Sequence, residues 1–171
     1  MGSYEKGKAE VLAYIKKSFK EGQTCLDVGA CDGKWGKLLN GYLATDAVEI
    51  FKPNIEKHDL KSIYRRVFEG GIQDYEYEWY DLIIFGDVIE HLTVSDAQRV
   101  LKYAYTRCSD LIIAVPYLYT QGELYGNPWE RHIQNDLTDK LFNERYPGFE
   151  HLLPIESDYA YYHKQGIANM A

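Results

Sequence analysis

The 171-residue chain is poor in the residues that staple, break or span. It has 3 cysteines, Cys25, Cys31 and Cys108, an odd number without CxxC spacing, which argues against a disulfide framework and for free thiols in a reducing compartment. With only 5 prolines and 14 glycines, and no repeat or low-complexity tract, collagen-like, disordered and repeat-array architectures are excluded. The longest apolar runs, at 82–85 (LIIF) and 111–115 (LIIAV), are far shorter than the ~20 residues a membrane-spanning helix needs. The first residues are polar and contain lysine, without the apolar core of a signal peptide, so a cytoplasmic protein with no membrane association is expected. Basic residues are in deficit: 19 Lys plus Arg face 26 Asp plus Glu, a net charge of -7 that opposes broad electrostatic binding to nucleic acid.

What is present suits one globular domain over residues 1–171: 46% of residues are hydrophobic and 26% charged. At this size a chain buries roughly 70% of its unfolded surface and needs no staple. Tyrosine is abundant, at 16 residues concentrated after Tyr75, enough for a stacking surface as well as core.

Residues 9–19 carry Val11, Leu12, Ile15 and Phe19 at helical spacing, with Gly22 beyond as a stop signal. Residues 24–28 (TCLDV) then read as a strand entering the glycine-containing stretch 29–36, and 37–40 continue as helix. The alternation repeats: strand 46–50, helix 53–59 with Pro53 near its start, and a third strand over 62–68. Residues 80–85 (YDLIIF) are apolar almost throughout, as in a strand buried on both faces of a parallel sheet. Ser95 is suited to cap a helix running to 103 or 107, 110–115 is the next buried strand, 137–145 a helix, and 151–157 with 159–164 an antiparallel pair joined by a tight turn. The order predicts an α/β fold, a doubly wound, mostly parallel seven-stranded sheet ending in an antiparallel hairpin, Rossmann-like, in one domain. Ligands in such sheets bind beyond the carboxyl ends of the strands, where strand order reverses.

After the first strand the sequence reads Asp27, Val28, Gly29, Ala30, Cys31, Asp32, Gly33. Gly29 permits a tight turn and Gly33 a close approach of backbone to ligand. A dinucleotide signature would place glycine at 29, 31 and 34, but Cys31 and Lys34 stand there, which disfavours a nucleotide-dependent oxidoreductase. Glu49 follows Gly29 by 20 residues, at the end of the second strand, where a carboxylate can accept hydrogen bonds from both hydroxyls of a ribose.

With the LDVGACDG stretch at 26–33, the acidic strand end at Glu49, EGGIQDY at 69–75 and YDLIIFGDVIEHL at 80–92, the chain resembles the class I S-adenosylmethionine-dependent methyltransferases over nearly its whole length. The resemblance implies that S-adenosylmethionine lies along the Asp27, Gly29, Ala30, Cys31 and Gly33 loop, with Glu49 on the ribose and Ile50 beside the adenine. It further implies that Ile72 and Gln73 line the adenine edge and that Asp87 and Val88 lead into the active site. Two positions depart from the family pattern: Cys31 replaces its second glycine, and Gly71 stands where an acidic residue often precedes the adenine contact.

Methyl transfer from a sulfonium is a direct displacement that needs alignment and exclusion of water, with a base useful for a hydroxyl acceptor. Candidates for that base are His91, Glu90 and His132. The expected acceptor is a small molecule, sugar or natural-product intermediate methylated on a hydroxyl or amine, and no metal is assigned. An alternative weighs Asp87, Glu90, His91 and His132 together, oxygen and imidazole ligands able to hold a divalent ion. That arrangement resembles the metal-dependent methyltransferases that modify the 3′ end of small RNAs. A second downstream histidine expected there has no counterpart, since Gln134 and Asn135 follow His132, and the net charge opposes RNA. A noncatalytic S-adenosylmethionine-binding or partner-binding module is a third reading. The long loop 117–135 is the expected substrate-determining segment, with Tyr117, Tyr119, Tyr125 and Trp129 as an aromatic wall and Arg131 for an acceptor anion. With no separate lid domain, the cleft is either open to a large acceptor or closed by a partner chain, as in a homodimer.

Overall fold

The computed structural model describes residues 5–154 and 158–167. Among them seven strands form one sheet in the order β3-β2-β1-β4-β5-β7-β6, parallel except for β7. The strands are β1 Thr24–Val28, β2 Ala44–Glu49, β3 Val67–Glu69, β4 Tyr80–Gly86, β5 Cys108–Pro116, β6 Glu150–His151 and β7 Tyr159–Gln165. The helices are α1 Lys8–Ser18, α2 Lys34–Leu39, α3 Lys52–Lys57, α4 Leu60–Ile63, α5 Val94–Tyr105 and α6 Asp139–Arg145. The order reverses between β1 and β4, which pair in parallel from Cys25↔Leu82 to Val28↔Phe85.

Both faces of the central strands are covered, which is why their sequences are apolar without alternation. Leu82, Ile84, Ile112 and Ala114 pack on one face with Val11 and Ile15 of α1 and Trp35 and Leu39 of α2. Ile83, Phe85, Leu111 and Ile113 pack on the other with Ala97, Val100, Leu101 and Ala104 of α5 and Phe142 of α6. Among the described residues no helix is long and apolar enough to cross a membrane. Cys25 and Cys108 are buried and all three cysteines are free thiols.

Three expectations need correction. Residues 62–68 are not one strand: α4 ends at Ile63 and β3 begins at Val67, because the apolar residues there serve two elements. Leu60 of α4 packs with Ile55 of α3 and Tyr64, whereas β3 is a short edge strand whose Phe68 is 37% exposed. The cap of α5 is Thr93 rather than Ser95, its hydroxyl accepting the Asp96 N–H at 3.1 Å. The last two strands do pair antiparallel, His151 against Tyr162, but β6 has only two residues. Residues 155–157 of the expected strand lie outside the described residues.

Candidate active site

At the carboxyl ends of β1, β2 and β4 lies a cavity of about 660 Å³. Of the residues singled out from sequence, Gly29, Cys31, Glu49, Ile50, Ile72, Gln73, Asp87, Val88, Glu90, His91 and His132 all line it. Asp27, Ala30 and Gly33 do not. The Asp27 carboxylate is buried and accepts a hydrogen bond from the Tyr64 hydroxyl at 2.5 Å, and burial raises its pKa to about 7 despite that bond. Ala30 packs with Leu60 and Tyr64. Gly33 caps α2 at φ +75°, and a β-carbon there would lie 2.8 Å from Ile63, so its bareness serves helix packing rather than a ligand.

Gly29 also has a positive φ, of 75°, and a β-carbon would meet Val88 at 2.6 Å; the turn after β1 therefore closes onto the segment after β4 only because that side chain is missing. Cys31 keeps the left-handed backbone, at φ 47°, that glycine would favour at this position. Its N–H donates to Glu49 at 2.7 Å, while the Phe51 N–H donates to the other carboxylate oxygen at 2.8 Å. Glu49 is 3% exposed, and burial raises its pKa against the N–H groups of Phe51 and Cys31 and the Asn54 side chain. A carboxylate has about four acceptor positions, so the two amides and the Asn54 side chain leave capacity for a ribose hydroxyl. Asn54, on α3, was not evident from sequence because a helix residue five places beyond the strand end carries no motif.

On the far side, Asp87 sits at φ 57° beyond β4 and accepts the Tyr159 hydroxyl at 2.6 Å. Tyr159 was missed as a site residue: only the antiparallel placement of β7 beside β5 brings it there. The following 3-10 turn, Ile89–His91, is stitched to the long loop through the Glu90 carbonyl, which accepts the N–H groups of Ile133 at 2.8 Å and Gln134 at 2.9 Å. The Gln134 side chain donates to the carbonyls of Ile89 and Leu92, and its own oxygen accepts the Tyr146 hydroxyl. This clamp sets the His91 and His132 rings edge to face, with centroids 4.7 Å apart.

Each imidazole has one nitrogen committed to a backbone carbonyl: His91 Nδ1 to Arg131 at 3.1 Å and His132 Nδ1 to Tyr119 at 2.8 Å. A carbonyl only accepts, so both Nδ1 atoms carry the proton and both Nε2 atoms present a lone pair. Burial, together with neighbouring His132, lowers the pKa of His91 to about 4, and burial lowers that of His132. Glu90 is fully buried and neither carboxylate oxygen has a hydrogen-bond partner; burial, with Asp87 adding, pushes its pKa well above the carboxylate range.

Within the loop, Tyr117, Tyr119, Trp129 and Arg131 line the cavity as expected. Tyr125 does not: it is 82% exposed at the tip of a tight turn closed by the Leu124 and Asn127 bridge, where it and Gly126 both have positive φ. Arg131 pairs with Glu123 at 3.1 Å.

No protein-family model matches the chain, and no curated protein matches it in sequence. Its structure nevertheless superposes on solved methyltransferases across almost the whole chain. The N-methyltransferase NodS from Bradyrhizobium japonicum aligns with TM-score 0.67 at 10% identity, covering 95% of this chain and 96% of that one. An S-adenosylmethionine-dependent methyltransferase from Clostridium acetobutylicum aligns with TM-score 0.72 at 12% identity, covering 96% and 92%. The 1,6-didemethyltoxoflavin-N1-methyltransferase from Burkholderia thailandensis, solved with its acceptor and S-adenosylhomocysteine, aligns with TM-score 0.71 at 16% identity, covering 95% and 79%. The chain thus has the fold of the class I S-adenosylmethionine-dependent methyltransferases.

Proposed function

We propose that this chain is an enzyme that binds S-adenosylmethionine in the cavity and transfers its methyl group to a hydroxyl or amine of a small-molecule, sugar or natural-product acceptor. The observation that carries this reading is the buried Glu49 carboxylate, tied by the Cys31 N–H to the turn after β1 and still able to accept a ribose hydroxyl. The lining fits an adenosyl group: Glu49 for the ribose, Ile50 and Ile72 as apolar faces, Gln73 at the base edge and Gly29 with Cys31 along the methionine portion. When bound, the cofactor would supply an electrophilic methyl on a sulfonium. Val88, wedged against Gly29, and Asp87, braced by Tyr159, shape the wall between cofactor and acceptor. His91, His132 and Glu90 hold the acceptor's nucleophilic atom, the neutral imidazoles through Nε2, and Tyr117, Tyr119 and Trp129 enclose its body and exclude water. That solved relatives of this fold include N-methyltransferases, one with a small acceptor bound, supports an acceptor of that size. Free thiols at Cys25, Cys31 and Cys108 fit a cytoplasmic location.

Calorimetric titration with S-adenosylmethionine and S-adenosylhomocysteine, with NADH as control, tests this reading. Saturable binding of the two sulfur nucleotides and not NADH is expected. Binding of NADH alone, or of none of the three, would overturn the cofactor assignment and return weight to a noncatalytic module.

A further inference from the structure

We propose that Glu90, His91 and His132 form a binding site for one divalent first-row transition metal ion, held by the Nε2 atoms of both imidazoles and the Glu90 carboxylate. A ligand atom from each of the three lies within 4.8 Å of the others, and all three residues line the cavity. Metal bonds of about 2.0–2.2 Å to nitrogen and oxygen place three ligand atoms on one ion roughly 3–3.7 Å from one another, so a contraction of about 1–1.5 Å at most closes the set.

Two features are unexplained without an ion. First, Glu90 is 0% exposed with neither oxygen hydrogen-bonded, although an orphaned buried polar group costs roughly 1–3 kcal/mol. His91 Nε2 faces one of those oxygens at 3.9 Å, too far for a hydrogen bond and right for a shared ion. Second, both rings are oriented the way metal-binding histidines are, each donating Nδ1–H to a main-chain carbonyl so that Nε2 points to the ligand position. The loop and turn that carry these carbonyls are themselves locked together through Glu90 and Gln134, so the arrangement is built rather than incidental. Asp87 stands outside the set, its carboxylate held by Tyr159. Two imidazoles among three ligands favour manganese, iron, cobalt or zinc over magnesium or calcium, which prefer all-oxygen sets.

Three protein ligands leave coordination positions open to the cavity. Resting on the acceptor-side reading above, but with the ion in place of the imidazole Nε2 atoms as the group that holds the nucleophile, one of these positions is filled by an acceptor hydroxyl, so the ion selects oxygen acceptors over amines. The metal site itself does not depend on the cofactor assignment.

The test uses tag-free protein stripped with chelator and titrated with Co²⁺, Mn²⁺, Zn²⁺ and Mg²⁺, beside Glu90→Gln, His91→Ala and His132→Ala. One equivalent of Co²⁺ with visible d–d bands is expected, with Mg²⁺ at least ~10-fold weaker than Mn²⁺ and each substitution weakening Co²⁺ by ~10-fold or more. Glu90→Gln keeps the side chain's shape and removes its charge, which guards against a misfolded variant. Co²⁺ affinity unchanged in the three variants, or no Co²⁺ spectrum in the parent protein, would overturn the proposal. S-adenosylhomocysteine titrated in parallel separates the two readings: its binding without Co²⁺ binding sinks only the metal site, and Co²⁺ binding without it sinks only the cofactor assignment.

Discussion

Replacing Glu49 with alanine removes the acceptor for two main-chain amides and, on the proposed reading, for a ribose hydroxyl. The expected loss of S-adenosylhomocysteine affinity is roughly 1.5–3 kcal/mol, the scale of hydrogen bonds to a charged group, and calorimetry reads it directly. Unchanged affinity in a folded variant would refute the ribose role. His91→Ala separates the two sides of the cavity: cofactor affinity should stay within a few-fold of the parent while turnover on an identified acceptor falls by ~10²-fold or more. Normal turnover would assign His91 to bracing the loop through Arg131. At this scale the place of Glu49 in the cavity was legible in the sequence, because a carboxylate 20 residues beyond a turn glycine falls at the end of the neighbouring parallel strand. Gly33 was misleading for the opposite reason. A bare α-carbon serves a ligand and a packed helix equally well, and only the neighbours, Ile63 and Leu60, tell which.

Among the elements, β2 depends on a charge cluster at the edge of the sheet. Asp46 is buried and accepts hydrogen bonds from Arg65, Arg66 and Tyr80, which, against the opposing effect of burial, hold its pKa down to about 2. A carboxylate depressed below its unfolded value, about 3.9, contributes stability above pH 4 and loses it as pH falls through about 2. The contribution is about 2 kcal/mol, so the parent should lose that much between pH 4 and 2 in denaturant titrations, and Asp46→Asn should abolish that part of the slope. The clamp between the Ile89–His91 turn and the long loop makes a second prediction. Gln134→Ala strips the carbonyls of Ile89 and Leu92 and the Tyr146 hydroxyl of their partner, at a cost of about 1–3 kcal/mol. It should raise KM for the acceptor while leaving S-adenosylhomocysteine affinity near the parent's, since the clamp touches only the acceptor side; equal loss of both would show that the loop also orders the cofactor side. Elements buried on both faces, β4 and β5, were plain from their apolar runs, whereas β3 and β6, short and at the sheet edges, were read as strands but with bounds too long, since no continuous run marks their ends.

For the molecule as a whole, a ligand that binds only the folded state stabilises it by mass action. S-adenosylhomocysteine at 100 times its Kd should add about 2.7 kcal/mol and raise Tm by ~5–10 °C for a domain of this size, as followed by calorimetry or fluorescence. No shift at saturating ligand would show that the cavity is not its site. By itself the sequence determined the layered α/β architecture, the switch point and the residues that line the β1 and β2 side of the cavity, because strand burial and turn chemistry are local and repeat along the chain. Only the tertiary structure decided which residues meet on the other side. His91 and His132, 41 positions apart, meet because the Glu90 carbonyl captures two amides of the loop, and Tyr159 reaches Asp87 because β7 inserts antiparallel beside β5. Such contacts depend on chain segments far apart in sequence and joined by main-chain hydrogen bonds, which carry no residue signature.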